Sequence, residues 1–308
     1  MLRKARDVDG FFSAYPNILP CLTRLQLYNL RFAEGDIHNI IFDCCKQLQH
    51  LSLEHCDVGD CSVWQVDAPN SVLRVLEVRY SYLRRLEELC LPKLELLNLE
   101  LSGFSLSQLL DGATKIHTLT LNFQGEKLWI LPESKQLRTA FSKLRKLSIH
   151  GIYVEFDLLW TINLLEAAPS VDIFDTEVFE HPCLVLNWER VVIQRVKPSW
   201  KVAGFTSCNK WQLRELHVTN FSPLMEQHML FVREVMDRAP NLKTVVLKED
   251  DEPCKDCEAM DALPTLVGGL FPRTKNEQET IAQQLRDNMV GSSSVKIIFK
   301  SIASIVVF

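Results

Sequence analysis

The sequence lacks the features that would mark a membrane protein, a secreted disulfide scaffold, a nucleic-acid binder or an enzyme. No stretch approaches the roughly 20 consecutive apolar residues that span a bilayer. The apolar run from Val295 to Phe308 is short and is broken by Lys296 and Lys300. The start, MLRKARDVDGFF, has basic residues but no apolar run behind them, so no secretory signal is expected. Positive charge is not in excess: 34 Lys and Arg stand against 39 Asp and Glu, a net charge of -5. That leaves no field for neutralising phosphates and argues against a nucleic-acid partner. There is no HExxH, GxGxxG or GxxxxGK[ST] motif, and no Ser or Cys sits in a nucleophile elbow. Gly268-Gly269 has no Lys to hold a phosphate and reads as a turn. No enzyme activity, catalytic residue, cofactor or metal is therefore expected.

What is present is ordinary globular composition, 47% hydrophobic and 24% charged over 308 residues, which by length suggests roughly two domains. Ten cysteines in so long a chain without a secretory start fit a reduced, cytoplasmic or nuclear protein whose thiols are mostly small buried hydrophobes. Cys254 and Cys257 form a CxxC, but structural zinc needs two more Cys or His at compatible positions, ideally another pair, and the close pairs Cys44-Cys45 and Cys56-Cys61 lie far upstream. The acidic setting of Glu249, Asp250, Asp251, Glu252 and Asp256 also disfavours a reactive thiolate, so this segment reads as a structural turn.

One pattern recurs along the chain: apolar-x-x-apolar-x-apolar. It begins at Leu22-Leu25-Leu27 and returns at Leu48-Leu51-Leu53, Leu73-Leu76-Val78, Leu94-Leu97-Leu99, Ile116-Leu119-Leu121 and Leu144-Leu147-Ile149, in steps of 26, 25, 21, 22 and 28 residues. That is the period of leucine-rich repeats, in which a short strand points its apolar residues inward and a return segment packs behind. Less regular copies follow at Val171-Phe174-Thr176, Leu213-Leu216-Val218 and Leu242-Val245-Leu247, in steps of 27, 42 and 29. At the polar turn position only Cys56 fits the repeat; Leu30, Ser81, Ser102, Gln124 and Ile152 occupy it elsewhere. An imperfect turn ladder and an irregular horseshoe are therefore expected.

The return segments read as outer-face helices. Ile37, Ile40, Ile41 and Cys44 have helical spacing behind an N-cap at Asp36, and Leu106, Leu109, Leu110 and Ala113 repeat it. Met225, Met229, Val232, Met236 and Ala239 form one apolar stripe before Pro240, read as core packing. A last helix over Asn276 to Met289, with Asn276 and Glu279 at capping-box spacing and Ile281, Leu285 and Met289 inward, precedes a final strand over Val295 to Phe299. The long step before Leu213 holds an insertion or a divergent repeat, and from Cys208 the pattern changes to strand, long helix, strand, acidic loop, helix, strand. The expected fold is an α/β leucine-rich-repeat solenoid with a divergent α/β C-terminal cap. Residues 1–18 are expected to be an N-terminal remnant or linker, 19–207 the irregular repeats and 208–308 the C-terminal repeat or cap region.

The segments APSVDIF, APNLKTV and LRELHVTNF, the helix FVREVMDRAPNLKTVVLKE, the loop CKDC and the closing SSSVKIIF resemble plant F-box proteins that carry leucine-rich repeats and a C-terminal FBD-type region. The resemblance runs from Leu19 onward. It implies an FBD-like subdomain over 208–308 and a protein-interaction role, with the repeats presenting a substrate to a cullin-RING ubiquitin ligase. In that family the F-box docks on the Skp adaptor. The 18 residues before Leu19 are too few for the helices of an F-box, so Skp binding is expected only where an F-box lies upstream. Two alternatives stay open beside the ligase adaptor: an F-box-less scaffold or decoy, and a truncated nonfunctional copy.

Strand alternation then selects a surface, because the residues between inward leucines point to the opposite, concave face. They are Arg24, Gln26 and Tyr28; His50, Ser52 and Glu54; Glu77 and Arg79; Asn98 and Glu100; Thr118, Thr120 and Asn122; and Lys146, Ser148 and His150. Among them Arg24, Gln26, His50, Glu54, Glu77, Arg79, Asn98, Glu100, Lys146 and His150 are the candidate contacts for a protein partner, with Glu77 and Arg79 near the middle. Of the six tryptophans, Trp188, Trp200 and Trp211 gather in the long step, where core packing is the first reading and an interface anchor the second.

Overall fold

A computed structural model describes residues 2–3, 16–30, 39–57, 64–81, 86–100, 109–110, 115–123, 134–153, 158–179, 211–249, 271–287 and 295–301. The chain divides into two compact units, Met1–Phe123 with Ile130–Leu147, and Gln124–Trp129 with Ser148–Phe308.

In the first unit the strands are β1 (Leu2–Arg3), β2 (Arg24–Tyr28), β3 (His50–Glu54), β4 (Trp64–Asp67), β5 (Val75–Arg79), β6 (Leu86–Cys90), β7 (Leu96–Glu100) and β8 (Thr118–Asn122). The repeat pattern becomes a parallel sheet in the order β1-β2-β3-β5-β7-β8. Its register stacks like on like: Leu25, Leu51, Leu76, Leu97 and Leu119 are successive partners, as are Leu27, Leu53, Val78, Leu99 and Leu121. All ten are buried. With side chains alternating along each strand, this register places one continuous apolar face inward, and each fully buried leucine contributes about 1.5–3 kcal/mol.

Both ends of these strands are built the same way from repeat to repeat. At the start, one carbonyl accepts from two consecutive amides: Thr23 O from Gln49 and His50, Gln49 O from Arg74 and Val75, Arg74 O from Glu95 and Leu96, and Glu95 O from His117 and Thr118. At the end the chain turns through a left-handed residue, Asn29 (φ 52), His55 (φ 52) or Tyr80 (φ 47). One position later, Cys56 Sγ donates to Leu27 O and Glu54 O, each at 3.5 Å. Ser81 Oγ donates to Arg79 O at 2.9 Å and Leu53 O at 3.5 Å, and accepts from Cys56 N at 3.1 Å. At this pair of positions the turn ladder is better formed than the sequence suggested, because the Ser81 hydroxyl reaches, one repeat on, the carbonyls equivalent to those the Cys56 thiol reaches. Leu30 and Ile152 are buried at their copies of this position; Ser102 and Gln124 lie outside the described residues.

The return segments differ from expectation. Asn39–Cys44 is a π-helix rather than an α-helix, with Ile41 buried and Cys44 exposed; Asp36 and Ile37 lie outside the described residues. Leu109 and Leu110 are buried as expected, while Leu106 and Ala113 fall outside the description. The strands β4 and β6 were not foreseen. They pair in parallel as a separate two-stranded sheet, with a register shift between Gln65 and Val66. A regular helix, α1 (Ser134–Ala140), appears in the 28-residue step.

The division between the units falls after Leu147, within β9 (Lys146–Tyr153). The second unit continues with α2 (Ile162–Ala167), β10 (Ile173–Phe179), β11 (Glu215–Thr219), α3 (Glu226–Arg238), β12 (Thr244–Lys248), α4 (Lys275–Arg286) and β13 (Lys296–Lys300). Phe174, Leu216, Val245 and Ile297 are successive parallel partners, as are Thr176, Val218, Leu247 and Phe299. The methionine stripe is core: Met229, Val232 and Met236 are buried together with Phe231 and Val235. Trp211 is 2% exposed, and Asn241 Nδ2 donates to its carbonyl at 3.0 Å, so this tryptophan is packing rather than an interface anchor. Trp188 and Trp200, like Cys254, Cys257, Gly268 and Gly269, lie outside the described residues.

The capping box of α4 is displaced by two residues from its expected place. Thr274 is the N-cap: its Oγ1 accepts from Glu277 N at 3.3 Å, and Glu277 Oε2 accepts from Thr274 N at 2.9 Å. The sequence holds the S/T/D/N-x-x-E spacing twice, and the upstream copy adds half a turn while Glu277 also accepts from Arg273 N. Leu285 is buried and Ile281 half-buried, whereas Met289 is outside the description. Of the five described cysteines Cys45 and Cys56 are buried, Cys90 is half-buried and Cys21 and Cys44 are exposed. Burial raises the Cys45 thiol to about 11, with Cys44 adding to the shift, and burial also raises Cys56 and Cys90.

Candidate functional site

The residues that alternate with the inward leucines in the first unit's sheet lie on its opposite face, in rows set by the strand register. Gln26, Ser52, Glu77, Asn98 and Thr120 are successive partners in the middle row. Arg24, His50, Val75, Leu96 and Thr118 form the row at the strand starts. Tyr28, Glu54 and Arg79 form part of the row at the strand ends, and Glu100 pairs with Asn122 there. Arg24 and Arg79 are exposed, and Gln26, His50, Glu54, Glu77 and Asn98 are half-buried. Three of the candidates form one chain of contacts. His50 Nε2 lies 3.2 Å from Glu77 Oε2, and the Arg79 guanidinium donates to Glu77 Oε1 at 2.8 Å. Glu77 is thus held between a ring and a guanidinium on the middle of the face.

Glu100 departs from expectation. It is 4% exposed rather than solvated, and Asn122 Nδ2 donates to its Oε1 at 3.4 Å. It is thereby removed from any direct contact surface. Lys146 belongs to the first unit and is half-buried.

His150 belongs to the second unit, where it meets two carboxylates that sequence reading did not select. Its Nε2 lies 3.5 Å from Asp175 Oδ2 and its Nδ1 3.4 Å from Glu177 Oε2. On the next strand His217 Nε2 lies 3.2 Å from Glu215 Oε2, and His217 is the register partner of Asp175. Burial alone would raise the Asp175 carboxyl, but the His150 hydrogen bond and charge, with Lys248 and His217, carry it below its ordinary value. His217 is lowered by burial first and by Lys248 second, against the upward pull of Asp175 and Glu215. The signal for these residues was present. The alternation used for the earlier strands, carried on to Val171-Phe174-Thr176 and Leu213-Leu216-Val218, selects Asp175, Glu177, Glu215 and His217.

Among the described residues no group of three or more His, Cys, Asp or Glu side chains is arranged to hold a metal ion. A cavity of about 140 Å³ among the return segments is lined by Phe42, Asp43, Cys45, Lys46 and Asp67 among others. It is below the roughly 300 Å³ of a small-molecule pocket. Among the described residues no helix is long and apolar enough to cross a membrane.

Parallel in-register strands, leucines stacked inward and polar rows outward are the geometry of a leucine-rich-repeat domain, a type that is typically non-catalytic and implies a protein-interaction module. No curated protein matches the sequence. Residues 36–262 match the At1g61320/AtMIF1 LRR domain, and since that is most of the chain, the protein belongs to this plant leucine-rich-repeat family.

Proposed function

We propose that the solvent-facing side of the first unit's sheet takes hold of a protein, and that this protein is a substrate for a cullin-RING ubiquitin ligase. The supporting observation is the His50–Glu77–Arg79 chain, which fixes three polar side chains on adjacent strands before any partner arrives. Preorganised groups lose little side-chain freedom on binding. A standard interface takes about 800 Å² from each partner, more than one five-residue strand offers, so several repeats are read together. The ligase assignment rests on the resemblance to F-box proteins with leucine-rich repeats and an FBD-type region, in which an upstream F-box engages the Skp adaptor.

The test is affinity capture with the chain alone and with an F-box fused upstream. A double variant, Glu77→Arg with Arg79→Glu, keeps an internal ion pair while inverting the polarity of the face. Capture of a defined partner should fall at least tenfold while the melting curve stays within about 0.5 kcal/mol of the parent. Lys46→Glu is the control: its exposed ammonium pairs only loosely with Asp43, at 3.4 Å on a return segment, and capture should not change. An unchanged capture profile in the double variant refutes the face. Retained capture with no Skp recovered by the F-box fusion points instead to a scaffold or decoy.

A further inference from the structure

Among the described residues β13 is the last strand of its sheet and pairs only with β12. In a parallel ladder, residues bonded to one neighbour alternate with residues whose amide and carbonyl point the other way. Lys296 N donates to Lys243 O at 2.9 Å, and Lys300 O accepts from Glu249 N at 3.0 Å, so Lys296, Ile298 and Lys300 are the residues turned to β12. Ile297 and Phe299 therefore carry their backbone groups toward the open edge, and among the described residues no hydrogen bond engages those groups there.

Alternation sets Lys296, Ile298 and Lys300 on one face, beside their register partners Thr244, Val246 and Lys248. Both outer lysines are exposed and Ile298 is half-buried. Among the described residues neither ammonium has a carboxylate partner, and the neighbouring Glu249 is buried and bonded to Arg273. In a chain of net charge -5 this edge is locally basic, with an apolar centre. An unpaired edge is a template for another strand, and its side chains decide which strand is accepted. A second copy of β13 is rejected: centred antiparallel on Ile298, it sets Lys296 opposite Lys300, and like charges directly opposite repel. An acidic strand meets opposite charge at both ends. A nucleic acid could neutralise the lysines, but it has no peptide backbone to pair with Ile297 and Phe299.

We infer that the β13 edge accepts an extended acidic segment of a partner protein, of the pattern acidic-x-apolar-x-acidic, which pairs by its backbone with Ile297 and Phe299 and by its carboxylates with Lys296 and Lys300. The site belongs to the second unit and stands independently of the partner face proposed on the first.

The probe is the heptapeptide Thr-Glu-Thr-Val-Thr-Glu-Thr, blocked at both ends and titrated into the full chain at low salt while hydrogen exchange of the Ile297 and Phe299 amides is followed. Saturable binding at high-micromolar to millimolar peptide is expected, with both amides slowed. The double variant Lys296→Glu with Lys300→Glu should weaken binding about tenfold and leave the melting temperature unchanged, because both side chains are exposed. The same peptide with Lys in place of both Glu should fail on the parent and bind the double variant, which separates lost charge from lost folding. Four results overturn the inference: the two amides already protected in the free chain, binding that leaves them unslowed, binding indifferent to the double variant, or a single-stranded oligothymidylate that binds the same lysines as tightly as the peptide.

Discussion

The return segments of the repeats take different forms in the two units, and spacing accounts for part of the difference. Between Leu48 and Leu73, and between Leu73 and Leu94, the steps are 25 and 21 residues, and the return runs include β4 and β6. Where the step is 27 to 29 residues, helices appear: α1 before Leu144, α2 before Val171 and α3, of 13 residues, before Leu242. A helix rises only about 1.5 Å per residue against about 3.3 Å for a strand. Bringing the chain back over the same distance through a helix therefore takes more residues. α1 stands in the first unit's longest step, but the correspondence is not strict, since the 26-residue step from Leu22 to Leu48 also returns through a helix, the π-helix Asn39–Cys44.

The faces also differ. The first unit joins one histidine, one carboxylate and one guanidinium in a chain of mixed charge. The second sets His150 between two carboxylates and His217 beside a third. It also buries a histidine completely. His228 accepts from Ser222 N at Nδ1, 3.1 Å away, while its Nε2 is buried without a hydrogen-bond partner among the described residues. Burial pushes its pKa down to about 4. The described histidines of the first unit, His50, His55 and His117, all reach solvent.

The largest test of this comparison lies in the stacked leucines. Leu97→Ala, at a fully buried register position of the first unit, should cost about 2–5 kcal/mol in a denaturant melt. A neutral result would mean that the strand register is not what holds the unit together. Next comes pH. His228 binds its proton less readily folded than unfolded, so its contribution is complete above pH 6.5 and is lost as pH falls toward about 4, by up to about 3 kcal/mol. Asp175 is also lowered, so its stabilisation holds above the ordinary carboxylate range and disappears only further down, as pH passes its folded value. His228→Asn keeps an acceptor near the place of Nδ1, and its melts should lose most of the slope between pH 6.5 and 4. The same slope in the parent and the variant would assign the acid sensitivity elsewhere. Smallest is the cap of α4: Thr274→Ala should cost about 1 kcal/mol and raise amide exchange in the first turn of that helix.

How much of this was legible in the sequence depends on which contacts decide each feature. The strands could be read because every LxxLxL match carries its own inward residues, and the outward face followed from the same alternation. Glu100 escaped that reading because alternation fixes direction but not depth: its burial accompanies the contact with Asn122, 22 residues away on the neighbouring strand. The two capping-box matches before α4 were equivalent locally, and Thr274 is the N-cap in the folded chain.

The sequence by itself determined the repeat, its period, the inward leucines and the absence of recognisable catalytic or phosphate-binding motifs, because each of these is a local pattern repeated many times. Only the tertiary structure decided which outward residues meet. His50 reaches Glu77 across 27 positions, and His55 stacks on Tyr80 across the next repeat. Those contacts depend on parallel register between neighbouring strands, which sets partners 20 to 30 residues apart within a few ångströms and leaves no trace in any one repeat.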